Sequence, residues 1–358
     1  MDDIINKVLN IIIPPISLTF FLFLLPLYLF YKFLLSAVRS VFSEDVAGKV
    51  VLITGASSGI GEHMAYEYAR RGACLALVAR RENLLQSVAS RAMSIGSPDI
   101  LVIPADVSKV ENCRRFVDVA VNHFGRLDHL VNNAGITPDT NFWGSVYGTY
   151  FAIPHLKRSR GKIVGIASSA GWLRVPRLSL YGATKSAVIS FYETLRVEIG
   201  REVGITIVTP GLVESEMTKG KFLSKEGQLV LDQQLRDVEV SIMPILPVKE
   251  AAKSIVDSAC RGENYLTVPA WVWHSFYWKV FFPELLDWSN RMLLMSNGSG
   301  GERDTINVIN GFHTNGGTTL RHFNGVDDVD SVLVGKLSEQ QPHHLHRNAS
   351  SCYQISYN

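Results

Sequence analysis

KVVLITGASSGIG, residues 49–61, is the stretch on which the fold turns. A β-branched apolar run passes straight into glycines and serines, and these open the helical stretch GEHMAYEYARR. That order reads as strand, tight turn and amphipathic helix. Glycines in such a turn let the backbone bend sharply and come close to a ligand, while the free N–H groups of a helix start attract anions. Gly55, Ser57, Ser58, Gly59, Ile60 and Gly61 are therefore the candidate cradle for the pyrophosphate of a dinucleotide.

Working outward, five more apolar runs repeat the strand pattern: ACLALVA, DILVIP, LDHLVN, KIVGIA and GITIVT. They alternate with helical stretches and are near-continuously apolar, as a parallel sheet covered on both faces requires. The expected fold class is α/β, a doubly wound parallel sheet spanning about residues 46–296. The end of the second strand tests which dinucleotide is bound. An acidic residue there would hold ribose hydroxyls, but the chain reads Val78-Ala79-Arg80-Arg81. Two guanidiniums and no carboxylate suit a 2′-phosphate, hence NADP, unless both arginines only face solvent at a helix start. Asp106 and Val107, just after the third strand, are expected at the adenine edge.

Tyr181 and Lys185 stand four apart in a helical stretch, which puts phenol and ammonium on one face. A nearby cation favours the phenolate and brings a tyrosine toward a working acid–base range. Ser168 follows the strand KIVGIA, where its hydroxyl is expected to hold a substrate oxygen beside Tyr181.

The 358 residues are 47% apolar with a formal net charge of +2, and the 35 basic and 33 acidic residues are interspersed, which argues against nucleic-acid binding. Cys74, Cys113, Cys260 and Cys352 are scattered, with no metal-ligand spacing, so no metal is expected and the thiols read as free. Residues 11–31, IIIPPISLTFFLFLLPLYLFY, carry no charge and match a bilayer core in length. Pro14, Pro15 and Pro26 disfavour a straight helix, so a hairpin competes with a single span; residues 1–42 are assigned to this anchor. Either arrangement turns the remaining chain to the cytosol. Beyond residue 296 the composition shifts to Gly, Asn, His and Ser, and residues 297–358 read as a disordered tail. The histidines of QPHHLH and the sequons at Asn297 and Asn348 fall there.

TGASSGIG, NNAG (Asn132–Gly135), Ser168, YGATK and Pro210-Gly211 together resemble the short-chain dehydrogenase/reductase family over about residues 48–262. The resemblance implies a Rossmann sheet, with Ser168, Tyr181 and Lys185 as catalytic residues and Asn141 as a fourth, water-holding member. It implies hydride transfer between a nicotinamide and a carbonyl or alcohol carbon. Lys185 would also hold the nicotinamide ribose, Asn133, Ala134 and Gly135 would lie beside the cofactor, and Pro210, Gly211, Val213 and Ser215 would border the nicotinamide. The proline-bearing N-terminus, SEDVAGKVVLITGASSGIGE and the aromatic run PAWVWHSFYWKVFFPELLDW are similar to the plant steroleosin group of oil-body proteins. That likeness implies NADP, a hydroxysteroid substrate and a lipid-droplet monolayer, with the endoplasmic reticulum membrane as the alternative location. The aromatic run itself, Trp271 to Trp288, suits either an amphipathic lip that meets lipid and admits apolar substrate, or ordinary core and subunit packing.

One feature departs from the family. Six steps separate Gly135 from Asn141, where family members have roughly twenty more residues. Six steps reach at most ~20 Å, enough to return to the same side of the sheet. The expectation is a cap at Asp139 or Thr140, with Asn141 in the first helical turn and its carbonyl displaced. Two readings follow, a working enzyme and an NADP-binding coat protein with a crippled site. The usual homodimer through this helix is also put in question. Mass spectrometry of the natural protein checks the link: a peptide joining NNAGITP directly to DTNFWGS establishes it, and extra residues between them mark a longer form.

Overall fold

The computed structural model describes residues 2–41, 43–135, 138–175, 178–215, 218, 221–223, 229–231 and 244–296. The segment from residue 297, including Cys352, the histidines of QPHHLH and both sequons, lies outside the described residues. The chain divides into compact units Met1–Gly301 and Glu302–Asn358, and the described residues all belong to the first.

The strands are β1 (Val50–Thr54), β2 (Cys74–Ala79), β3 (Ile100–Pro104), β4 (His129–Asn132), β5 (Lys162–Ile166) and β6 (Gly204–Pro210), then a short pair, β7 (Lys221–Leu223) and β8 (Leu229–Leu231), and β9 (Tyr265–Val268). Seven of them form one sheet in the order β3-β2-β1-β4-β5-β6-β9, with every neighbouring pair parallel. β7 and β8 pair antiparallel by themselves. The helices are α1 (Asp2–Val41), α2 (Gly59–Arg70), α3 (Glu82–Ile95), α4 (Val110–Phe124), α5 (Pro138–Ser159), α6 (Ser179–Ile199), α7 (Val248–Arg261), α8 (His274–Phe281) and α9 (Pro283–Ser296).

Alternation within β1 shows why the strands read as continuously apolar. Val51 and Ile53 join a core with Met64, Tyr68, Leu75, Leu77 and Ile255. Val50 and Leu52 point to the other face and pack with Phe116, Leu130, Leu156 and Tyr192. The covering helices bury one stripe each. In α4 the buried side chains are Cys113, Phe116, Val117 and Ala120, at the spacing of one helical face, and Gly125 ends the helix with a φ of 74°. Fully burying a side chain such as Phe116 stabilises the fold by about 1.5–3 kcal/mol. Cys74, Cys113 and Cys260 are free thiols.

At the N-terminal edge of the sheet a polar cluster ties the chain between α1 and β1 to the domain. Glu44 Oε1 pairs with Lys49 and Oε2 with Lys162, while the buried His129 lies 3.3 Å from Oε2 and 3.0 Å from the Tyr68 hydroxyl. Burial works to raise the Glu44 carboxyl, but hydrogen bonds with His129, Lys162 and Lys49 hold it below the usual carboxylate range. The end of α1 joins the same edge, with Arg39 donating to Gly262 O at 3.3 Å. α1 runs unbroken through Pro14, Pro15 and Pro26, so the described residues contain no hairpin turn there. Each proline removes one backbone donor and leaves the neighbouring turns bonded, and Thr19 donates its hydroxyl to Pro15 O at 2.8 Å. Residues Ile5–Arg39 are long and apolar enough to cross a membrane, and their most apolar 18 residues have a mean hydropathy of 2.3 and are not buried.

The short link resolves at the start of α5. Pro138 opens the helix, one residue or more ahead of the expected cap, because a proline at the first helical position gives up only an N–H that has no helical partner there. α5 is then fastened by Asn132, the last residue of β4. Its amide nitrogen lies 2.8 Å from Tyr192 OH, 2.9 Å from Thr149 Oγ1 and 3.3 Å from Ser145 O, so that its two N–H groups join β4, α5 and α6 in one buried knot. Gly165 in β5 leaves room for the Tyr192 ring, with which a Cβ at that position would collide. Asn132→Ala is expected to lower unfolding stability by about 2–3 kcal/mol in urea denaturation, the cost of stranding these buried groups. Gly165→Ala should destabilise by more, since backbone or ring must shift.

Candidate active site

The strand order reverses between β1 and β4, and the residues singled out in the sequence gather at the C-terminal ends of these strands, the usual place for a ligand in such a sheet. Three glycines of the first loop do different work. Gly55 (φ +67°) presses on Asn133 and Ala134, and a Cβ on Gly61 would collide with Gly55 O and the Asn133 amide. Gly59 (φ +60°), by contrast, has no protein atom within 4 Å of its Cβ position, so only its left-handed backbone demands glycine. It opens α2, whose first N–H groups lack helical partners and whose cap, Ser58, makes no side-chain bond to them. An open glycine backbone at a helix start fits a dinucleotide pyrophosphate. Ile60 packs against the core behind it.

Arg81 reaches across this loop, donating to Ser58 Oγ at 2.6 Å and to Ser57 Oγ at 3.2 Å. Arg80 is exposed at the end of β2. Asp106 turns one carboxylate oxygen back to the N–H and hydroxyl of Ser108, at 3.1 and 2.9 Å. Val107 points its side chain inward against Gly144 of α5. Beyond β6, Gly211 N donates to Val268 O at 2.8 Å, so Pro210 and Gly211 are drawn close to the end of β9. Val213 is buried and bridges to Leu246, while Ser215 N donates to Thr218 Oγ1 at 2.8 Å.

The chemistry-bearing side chains are carried by α5, α6 and the end of β5. Lys185 is 4% exposed and donates to Ile166 O at 3.0 Å, with Nζ 5.7 Å from the centre of the Tyr181 ring. Burial pulls its ammonium down to about 8. Asn141 is 1% exposed, lies in the first turn of α5, and donates its amide to Thr184 Oγ1 at 3.1 Å. Asn141 O accepts from Ser145 Oγ at 3.1 Å. Asn141 Oδ1 and Lys185 Nζ both face Gly135, whose missing side chain leaves room for them. Asn141 and Lys185 thus border the same glycine. Ser168 sits at the end of β5 with its hydroxyl accepting from Ala170 N at 3.2 Å. Among the described residues no group of three or more His, Cys, Asp or Glu is arranged to hold a metal.

The sequence reading missed Asn132, Ser145 and Thr184. Asn132 stood in the NNAG phrase and Thr184 inside YGATK, but their partners lie on other elements. The aromatic segment is largely on the surface: Trp271, Tyr277, Trp278, Phe281, Phe282 and Trp288 are all exposed, so core packing accounts for little of it. Its inner edge does pack, with Trp273 stacked on Phe276 at 5.1 Å and Trp172 edge-on to both.

Residues 49–226 match the family described as short chain dehydrogenase. The chain is 54% identical over 321 residues to a Sesamum indicum protein named 11-beta-hydroxysteroid dehydrogenase A, covering 85% of this chain and 92% of that one. It is 51% identical over 320 residues to 11-beta-hydroxysteroid dehydrogenase 1A of Arabidopsis thaliana, covering 85% and 91%. The fold also matches that of a Burkholderia phymatum short chain dehydrogenase/reductase in complex with NAD, at 23% identity and a TM-score of 0.59, covering 67% of this chain and 96% of that one. An alcohol dehydrogenase from Thermococcus sibiricus complexed with 5-hydroxy-NADP gives 24% and 0.51, covering 62% and 95%. The fold and site define an oxidoreductase of the Rossmann type, and the chain belongs to the short-chain dehydrogenase/reductase family.

Lys185 generates a prediction independent of any substrate. Between pH 8 and 10.5 the unfolded chain keeps the proton that the folded chain has lost, so the burial penalty is full below pH 8 and fades as pH rises. Lys185→Met is expected to make the cofactor-free protein more stable than wild type at pH 7, by about 2–3 kcal/mol. Urea denaturation from pH 7 to 10 should show the gap closing.

Proposed function

We infer that the protein is an NADP-dependent hydroxysteroid dehydrogenase, interconverting hydroxyl and keto groups of a sterol at a lipid-droplet surface. The observation that carries this reading is the 54% identity to a protein named for that activity, and it is supported by Lys185 lying beside the Tyr181 ring on α6 with Asn141 bonded to Thr184 between them in sequence. When bound, a nicotinamide dinucleotide supplies or takes up the hydride. Gly55 through Gly61 would cradle its pyrophosphate, flanked by Asn133, Ala134 and Gly135, and Arg80 and Arg81 would take a 2′-phosphate. Asp106 would stand at the adenine edge, and Pro210, Gly211, Val213 and Ser215 at the nicotinamide.

The proton is handled by side chains. Tyr181 gives its phenolic proton to a substrate oxygen in reduction and removes one in oxidation. Lys185 favours the phenolate by its charge, and Ser168 donates a hydrogen bond that holds the same substrate oxygen. A sterol suits the aromatic surface of α8 and α9 beside the Trp172 loop, and the unburied apolar α1 suits a lipid anchor with the catalytic unit toward the cytosol.

The test is purified protein with NADP and a panel of hydroxysteroids. NADPH formation is expected, and a protein that binds NADP but turns over none of them overturns the reading. Tyr181→Phe should reduce turnover at least about a thousandfold while leaving NADP affinity within about threefold. Arg81→Ala should weaken NADP about tenfold more than it weakens NAD, as loss of one charge-assisted contact predicts. Removing residues 1–42 should release the protein from lipid droplets in a flotation assay while its turnover in solution persists.

A further inference from the structure

Thr184 lies on α6 one residue before Lys185, and its hydroxyl donates its single proton to Tyr181 O at 2.8 Å. That oxygen has only lone pairs left to offer, and Asn141 Nδ2 donates to it at 3.1 Å. The other end of the amide, Oδ1, is buried with no hydrogen-bond partner and lies against Gly135, where a Cβ would collide with it and stand 3.4 Å from Lys185 Nζ. We propose that Thr184 is a positioning residue for the Tyr181–Lys185 pair: by accepting from Nδ2 it holds the Asn141 amide with its oxygen toward the Lys185 ammonium. The reversed amide would aim a donor at a cation and leave Oδ1 beside a hydroxyl whose proton is already given away. This builds on the oxidoreductase reading above.

The groups packed around Nζ leave the amide with real leverage. The Tyr181 ring faces it from α6, Ile166 O from β5 and Gly135 from the β4 loop, with Asn141 Oδ1 of α5 bordering the same glycine; Tyr181 is the titratable one among them. Turning the amide over should therefore make the ammonium easier to deprotonate.

Thr184→Val keeps the β-branched shape and removes the acceptor. In the full-length protein in detergent, kcat is expected to fall about tenfold with KM for NADP and sterol within about twofold. NADPH affinity, read by fluorescence from pH 6.5 to 9.5, should be lost on the alkaline side at a midpoint about half a unit or more lower than in wild type. Thr184→Ser should restore both. In an Asn141→Ala background, Thr184→Val should add nothing. An unmoved midpoint, a wild-type affinity flat across this range, or an equal effect with and without Asn141 overturns the proposal. If wild type binds NADPH but oxidises no hydroxysteroid, the functional reading fails while the midpoint still decides how the amide is held.

Discussion

Asn133 donates its side-chain amide to Thr54 O at 3.0 Å and Gly55 O at 3.3 Å, and the N–H groups of Asn133 and Ala134 converge on Thr54 Oγ1 at 3.0 and 3.1 Å. This clasp joins the loop after β1 to the loop after β4 at the point where the sheet reverses order. Its closeness is what demands Gly55 and Gly61, because a Cβ on either would strike Asn133. The two loops are therefore one rigid unit, and the glycine with open space around it, Gly59, is carried on that unit at the start of α2.

The neighbouring asparagine faces the other way. Asn132 holds α5 and α6 to β4 through buried hydrogen bonds, so α5 does not depend on a long entry loop for its position. A helix clamped from the side at Ser145 and Thr149 can begin abruptly, and Pro138 lets it begin without wasting a donor. In a buried polar network each bond is strengthened by the low dielectric, and each broken one is costly for the same reason.

The fold was legible where patterns are local. Six strands of the main sheet were readable because each is a run of apolar residues, five of them largely buried and β3 partly so at an edge. β9 escaped because Tyr265–Val268 is short and half-exposed at the sheet's edge, and the β7–β8 pair escaped because its three-residue strands carry no periodicity to detect. The glycine loop and the Tyr181–Lys185 pair were visible as motifs with spacing. Thr184 and Ser145 were not, since a helical threonine or serine is neutral until its partner on another element is known. The start of α5 was misjudged by attending to Asp139 and Thr140 as caps rather than to Pro138.

The knot of Asn132, Thr149, Gly165 and Tyr192 also bears on how this family of sequences can drift. Tyr192 fills the space that Gly165 leaves, and its hydroxyl is within hydrogen-bond reach of both Asn132 and Thr149. A larger residue at 165 requires a smaller one at 192, and a smaller one at 192 strands the amide at 132. These four positions are thus expected to change together or not at all, and an exchange of α5 between relatives must carry its matching residues from β4, β5 and α6 as a block.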